Sequence, residues 1–269
     1  MKNDSSEFLT YRFEKRAVAF LDVLGFTSLI KDAEKYPAAL SKFNGLQATI
    51  EHHVRFDNDS IGPGVPKSAH PRYLFISDSI IISAPLDTDG YDGLAIVGLK
   101  SLQIAQNLLE SGFLMRGALA VGNVLHEKQN IFGTGYISAY KAQEQCFFKG
   151  DEKCAYKAQE KESKPHVFMT KEAKKHFDQA QHRNESLDNL GVWVEYDGER
   201  IIDVLNPMFL RDGAEKWRWQ DYFGQVAALI HQNLQSHPHG SSPHRKWEWM
   251  AKYFNFSAQR HGIGNVPIL

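Results

Sequence analysis

The chain has only two cysteines, no surplus of charge of either sign and no long apolar run, and each shortage excludes a class of protein. Cys146 and Cys154 are too few and wrongly spaced for a disulfide framework or a zinc site, so both read as reduced thiols. A net charge of -1 leaves no basic surface for nonspecific phosphate contacts, which sets nucleic acid aside as a partner. No stretch approaches the roughly 20 apolar residues that cross a bilayer. The opening "MKNDSSEFLTYRFEKR" is polar where a secretory signal is apolar. The expectation is a cytoplasmic protein with no membrane association. With 269 residues, 42% of them hydrophobic, the chain is long enough to bury a full core.

Hydrophobic patterning places elements along it. The run "RAVAFLDV", Arg16 to Val23, reads as a buried strand, and "TSLIKDAEKY" as a helix with Thr27 as its N-cap. A second helix is expected from Pro37 to about Phe56, then a turn-rich loop from Asp57 to Pro71. "RYLFISDSIIISAP" folds as a hairpin about Ser77, Asp78 and Ser79. Apolar residues recur at helical spacing from Leu94 to Leu109, and "FLMRGALAVGNVLHEKQNIFG" supplies two more strands. A long charged helix beginning near Tyr136 and late strands in "PHVFMT", "GVWVEYD" and "RIIDVL" complete an α+β arrangement of helices against an antiparallel-containing sheet. From Met208 onward the character changes. Two helical stretches carry Trp217, Trp219, Trp247 and Trp249, and "HPHGSSPH" between them reads as a solvated loop. Aromatics this dense cover something: the core, a second subunit or an aromatic ligand. The expected division is 1–207 as a catalytic domain and 208–269 as a helical extension.

Two carboxylates stand out. Asp22 closes an apolar strand, and Asp78 sits at the bend of the hairpin. If those strands are neighbours, the two acids meet. At about 4 Å they repel by about 4 kcal/mol at an effective dielectric of about 20, so a cation or a shared proton is needed. Hard divalent ions suit such oxygen donors. The alternative is local: Asp22 caps the following helix and Asp78 serves the turn. Residue pattern alone leaves both open.

The wording of three segments resembles the class III nucleotidyl cyclases. "AFLDVLGFTSLI" is similar to that family's first-strand signature, "ISDSIII" to the hairpin carrying its second metal-binding Asp, and "MRGALAVGNV" to its arginine-bearing strand that ends in glycine. Together with "FGTGYISAYKAQE" the wording most resembles the pyrimidine cyclases of bacterial Pycsar anti-phage systems. The resemblance implies a ferredoxin-like catalytic domain with a central, mostly antiparallel sheet, here followed by the C-terminal helices. It implies two divalent cations, Mn2+ or Mg2+, on Asp22, Asp78 and the Val23 carbonyl. Amides of Leu24, Gly25, Phe26 and Thr27 would face the phosphates, and Arg116 would grip the triphosphate. The implied reaction converts UTP, or CTP, into 3',5'-cyclic UMP, or CMP, and pyrophosphate. Also implied are a homodimer with its sites at the subunit interface and a downstream effector that reads the cyclic nucleotide.

Some positions depart from that pattern. Where adenylate and guanylate cyclases carry a ribose-orienting Asn and a transition-state Arg, this chain has Ser138 and Ala142, with Lys141 one residue away. Leu74 stands in place of the purine-reading Lys, and its neighbour Tyr73 becomes a candidate for the base pocket. Two other classes therefore stand beside the pyrimidine cyclase: a catalytically inactive cyclase-fold protein that binds nucleotide or serves as a scaffold, and a different two-metal phosphoryl-transfer enzyme.

Overall fold

The computed structural model describes residues 12–54, 65–127, 130–145, 164–180, 191–207 and 216–263. Both cysteines lie outside them. The strand β1 (Glu14–Val23) leads into the helices α1 (Phe26–Ala33) and α2 (Pro37–Val54). A short 3-10 turn at Lys67–Ala69 then precedes the hairpin of β2 (Arg72–Ile76) and β3 (Ser79–Pro85). A two-residue ladder, β4 (Asp87–Thr88) with β5 (Tyr91–Asp92), runs into α3 (Gly93–Glu110), β6 (Met115–Glu127), β7 (Asn130–Phe132) and α4 (Thr134–Gln145). After β8 (Val167–Met169) come α5 (Lys171–Gln179), β9 (Trp193–Tyr196) and β10 (Glu199–Ile202). Two C-terminal helices complete the order, α6 (Lys216–Ser236) and α7 (Ser242–Arg260).

The main sheet runs β2-β3-β1-β6-β8-β10-β9, with β7 paired to β6. Every pairing in it is antiparallel except β6 with β8. Its first four strands and their helices follow the β-α-β-β-α-β order of a ferredoxin-like unit. The fold class is therefore the α+β arrangement expected, with the C-terminal helices added to it.

Alternation along β1 sets the two faces of the sheet. Ala17, Ala19, Leu21 and Val23 point to the core under α1, α2, α3 and α5, where Leu29, Leu46, Leu94, Leu102 and Phe177 are buried. Val18 and Phe20 point the other way, with Ala120 and Val124 of β6 and Ala139 of α4. On that second face α6 and α7 cover the rest of the sheet through Phe223, Ile230, Met250 and Phe254, packed with Leu114, Val194 and Ile201. The Trp-rich tail thus completes a layer. It is anchored by Asp203, which is fully buried and accepts hydrogen bonds from Tyr253 at 2.5 Å and from Arg260.

Three local features differ from the expectations. The α1 cap is Gly25, not Thr27: Gly25 holds a left-handed φ of 83° with no side-chain cap bond, a conformation that disfavours any Cβ. The ladder β4–β5 is too short to leave a periodic trace. The helix α5 forms where the sequence shows no expected element, and Thr170 caps it by accepting from the Ala173 amide at 3.3 Å.

Small residues let α4 lie close to the sheet. A Cβ placed on Gly122 of β6 would fall 2.6 Å from the Gly135 amide nitrogen of α4. The atom it would meet is backbone and a Cβ has no rotamer, so no side-chain rotation relieves the overlap. We expect Gly122→Ala to lift α4 and cost about 1–3 kcal/mol, read as a lower urea midpoint at unchanged m-value.

Candidate active site

The register of the sheet gathers the site. Asp22 is paired with Arg116 of β6 on one side and with Ser79 of β3 on the other. Asp78, the turn residue before Ser79, accepts a 3.0 Å backbone hydrogen bond from the Val23 amide. The N–H and carbonyl of one strand residue point to the same side, so the Val23 carbonyl also lies toward Asp78. Ser77, just before Asp78, has a φ of 58°, a strained value for a residue with a side chain. The hairpin tip is thus held in a costly shape at the point where Asp78 meets β1.

The Asp22 side chain lies on the α4 face and is 11% exposed. Arg116 donates to its Oδ2 from Nε at 2.9 Å and from Nη2 at 2.6 Å. The Gln143 amide of α4 donates to the same oxygen at 3.3 Å. Burial raises the Asp22 carboxyl above the usual carboxylate range, Arg116 opposes that shift, and the neighbouring Asp78 adds to it. The two acids are thus close enough to interact, as the sequence predicted for neighbouring strand ends.

The donors are oxygen only: two carboxylates and the adjacent carbonyl of Val23. That set fits a hard divalent cation, and Mg2+ in particular binds through one or two carboxylates plus substrate phosphates. No group of three or more metal-ligating side chains occurs among the described residues, so the protein itself supplies few ligands.

In front of these acids lies the start of α1. The first-turn amides of a helix have no intrahelical acceptor, and with the helix dipole they favour an anion. The Leu24 amide is already bonded to the Leu114 carbonyl at 2.9 Å, so the amides left for an anion begin after it, at Gly25, Phe26 and Thr27. A Cβ on Gly25 would meet nothing within 4 Å, so that glycine serves the turn and leaves open space above it.

Three other expected residues stand apart from Asp22. Ser138 and Lys141 lie on the exposed side of α4, whereas Ala139 and Gln143, four residues apart, face the sheet. Tyr73 packs against the core on the α3 face, opposite to Asp22, and its buried hydroxyl has no hydrogen-bond partner among the described residues. Sequence reasoning missed Gln143. Its spacing from Ala139 was the available signal.

No family model matches the chain, and no curated protein matches it. Among the solved structures that resemble it are two cyclase-like proteins. One is a class III adenylyl cyclase-like ATP-binding protein from Pseudomonas aeruginosa, at 15% identity and a TM-score of 0.36, over 61% of this chain and 35% of that one. The other is the guanylyl cyclase Cya2, at 13% identity and a TM-score of 0.37, over 76% of this chain and 98% of that one. This chain matches 35% of the first protein's length. Likenesses of this depth carry no activity over, and the functional reading rests on the geometry of the site.

Two measurements probe the acids. Mn2+ at about 100 times its dissociation constant should stabilise the protein by about 2.7 kcal/mol, and Asp22→Asn or Asp78→Asn should abolish the rise in Tm. Without metal, the raised Asp22 pKa means that the folded state holds its proton more tightly than the unfolded chain. Stability from this residue is therefore full below the ordinary Asp value of about 3.9 and is lost as pH rises through the higher folded value. Asp22→Asn should flatten that decline, as seen by denaturation across acid pH.

Proposed function

We propose that this chain is a nucleotide cyclase that converts a pyrimidine nucleoside triphosphate, UTP first and CTP second, into its 3',5'-cyclic monophosphate and pyrophosphate. The observation that carries the proposal is the meeting of Asp22, Asp78 and Arg116 at one sheet end, before the α1 amides. Acids for cations and a guanidinium with helix amides for phosphates are the parts that phosphoryl transfer requires.

In this reading Asp22, Asp78 and the Val23 carbonyl hold two divalent ions, Mg2+ or Mn2+. When bound, such ions acidify the attacking hydroxyl and neutralise charge on the triphosphate. The chain's own groups do the rest. The amides of Gly25, Phe26 and Thr27 seat the phosphates, and Arg116 offers its fork of donors to them. The ribose 3'-oxygen forms a bond to the α-phosphorus as its proton leaves. The bond from that phosphorus to the β-phosphate oxygen breaks, and pyrophosphate departs with the electron pair.

A homodimer with sites at its interface belongs to the same proposal. Ser138 and Lys141 share the solvent side of α4 with Ile137, 46% exposed, and Tyr140, 39% exposed. An aliphatic side chain and an aromatic ring interleaved with polar groups suit a surface that a second copy covers. Through that contact Ser138 and Lys141 would reach the partner's nucleotide, in place of the missing Asn and Arg. A cyclic nucleotide made this way would serve as a second messenger for an effector in anti-phage defence.

The second reading is a nucleotide-binding protein without catalysis. Engagement of both Arg116 and Gln143 with Asp22 favours it, because the acid is then already occupied.

Incubation of the purified chain with each of the four NTPs and Mn2+, followed by mass analysis, separates the readings. The expected product is a cyclic pyrimidine monophosphate, absent from Asp22→Ala and Asp78→Ala. No product from any NTP sinks the cyclase reading and leaves the binding protein; linear or dinucleotide products indicate a different phosphoryl-transfer enzyme.

A further inference from the structure

The C-terminal helices do more than cap the sheet, because the margin of their inner face carries a half-buried cation. On α7, Lys246 shares helical spacing with Met250 and Tyr253, each 1% exposed. It therefore lies at the margin of the side that packs down on the sheet, next to the buried face of Trp247, Ala251 and Phe254. Under that side is the rim of the acidic site. The helix packs in one cluster with Leu114 and Leu24, and these two are joined by the Leu24 amide on the Leu114 carbonyl. Asp22 is two residues before Leu24, and Arg116 is two residues after Leu114.

We infer that Lys246 is a phosphate-binding residue of the Asp22 site, delivered from the C-terminal extension, so that α7 forms one wall of the nucleotide pocket. This rests on the triphosphate reading of the site and adds to it a residue from outside the three motif segments. The Lys246 ammonium is half-buried and makes no hydrogen bond or ion pair among the described residues. It feels Asp22 as an attraction and Arg116 and Arg245 as repulsions, and burial is the largest influence, lowering its pKa. Asp22 is already committed to Arg116. A desolvated cation beside a second cation, with the nearby acid shared, is stabilised by an arriving polyanion. A triphosphate seated on the α1 amides and gripped by Arg116 supplies such charge at this place.

The test separates this inference from the cyclase reading. Calorimetry measures binding of tripolyphosphate, which has no nucleoside, with Mn2+ present, to the full-length chain, Lys246→Met and Lys246→Arg. Product formation from UTP and CTP is followed in parallel. Lys246→Met keeps a flexible apolar stem for packing and should retain its thermal midpoint. It should weaken tripolyphosphate binding about tenfold or more, the loss of one charge-assisted hydrogen bond, while Lys246→Arg restores most of it. With an active enzyme, KM should rise more than kcat falls. Tripolyphosphate binding by Lys246→Met as tight as that of the natural chain overturns the inference even if cyclic product is made. Weakened binding in Lys246→Met upholds it even if no product forms, in which case the cyclase reading alone falls. If the natural chain does not bind tripolyphosphate, the inference falls, and product formation alone decides the cyclase reading.

Discussion

Asp22 and Arg116 face each other across the β1–β6 ladder, and the site is arranged around that pair. Ion pairs withdrawn from water stabilise a fold weakly, because desolvation offsets the Coulomb attraction. This one is held by the register of two central strands, which leaves the residues no freedom to part by more than a side-chain rotation. Its surroundings depend on the same register: Asp78 arrives through the β3 pairing, and Gln143 through the seating of α4 on β6.

The charges in this corner are mixed. Asp22 and Asp78 lie among Arg116, Lys246 and Arg245, two acids among three bases. A divalent cation alone would leave the corner positive, and a polyphosphate alone would leave it negative. Each therefore creates the charge that attracts the other. By linkage, whatever affinity a cation adds for the phosphate, the phosphate adds for the cation. Such coupling is built into a site that sets acids beside bases before any ligand enters.

Much of this is legible in the chain. The apolar run ending at Asp22, the turn at Gly25, the "SDS" hairpin and the strand with Arg116 all obey local rules of periodicity and turn chemistry. What local rules do not hold is which side of a helix meets which strand. The orientation of α4 depends on the contact of Gly122 with Gly135, a relation between distant residues, and so Gln143 escapes notice while the exposed Ser138 and Lys141 draw it. Lys246 is harder still. It comes just before Trp247 and Trp249 in a segment that reads as covering aromatics, and its meaning depends on α7 crossing back to a strand end more than a hundred residues earlier in the sequence. The signal is a lysine spaced as part of an apolar face, with Met250 and Tyr253. Thr27 reads as the cap of α1 because it is a good capping residue by type, while the left-handed Gly25 already ends the strand and starts the helix.

The alternation of β1 has one more effect, on how the chain avoids folding wrongly. Its residues from Ala17 to Val23 are small or apolar on both faces, so up to that point a slip of one position would exchange one hydrophobic side chain for another. Asp22 is the exception. A slipped β1 would turn its carboxylate into the packed layer beneath α3, away from Arg116, and an unpartnered charge there costs several kcal/mol or forces the group to take up a proton. The carboxylate at the mouth of the site thus also serves as a proofreading mark for the central strand. Misaligned chains are penalised at the same atom on which the proposed chemistry depends.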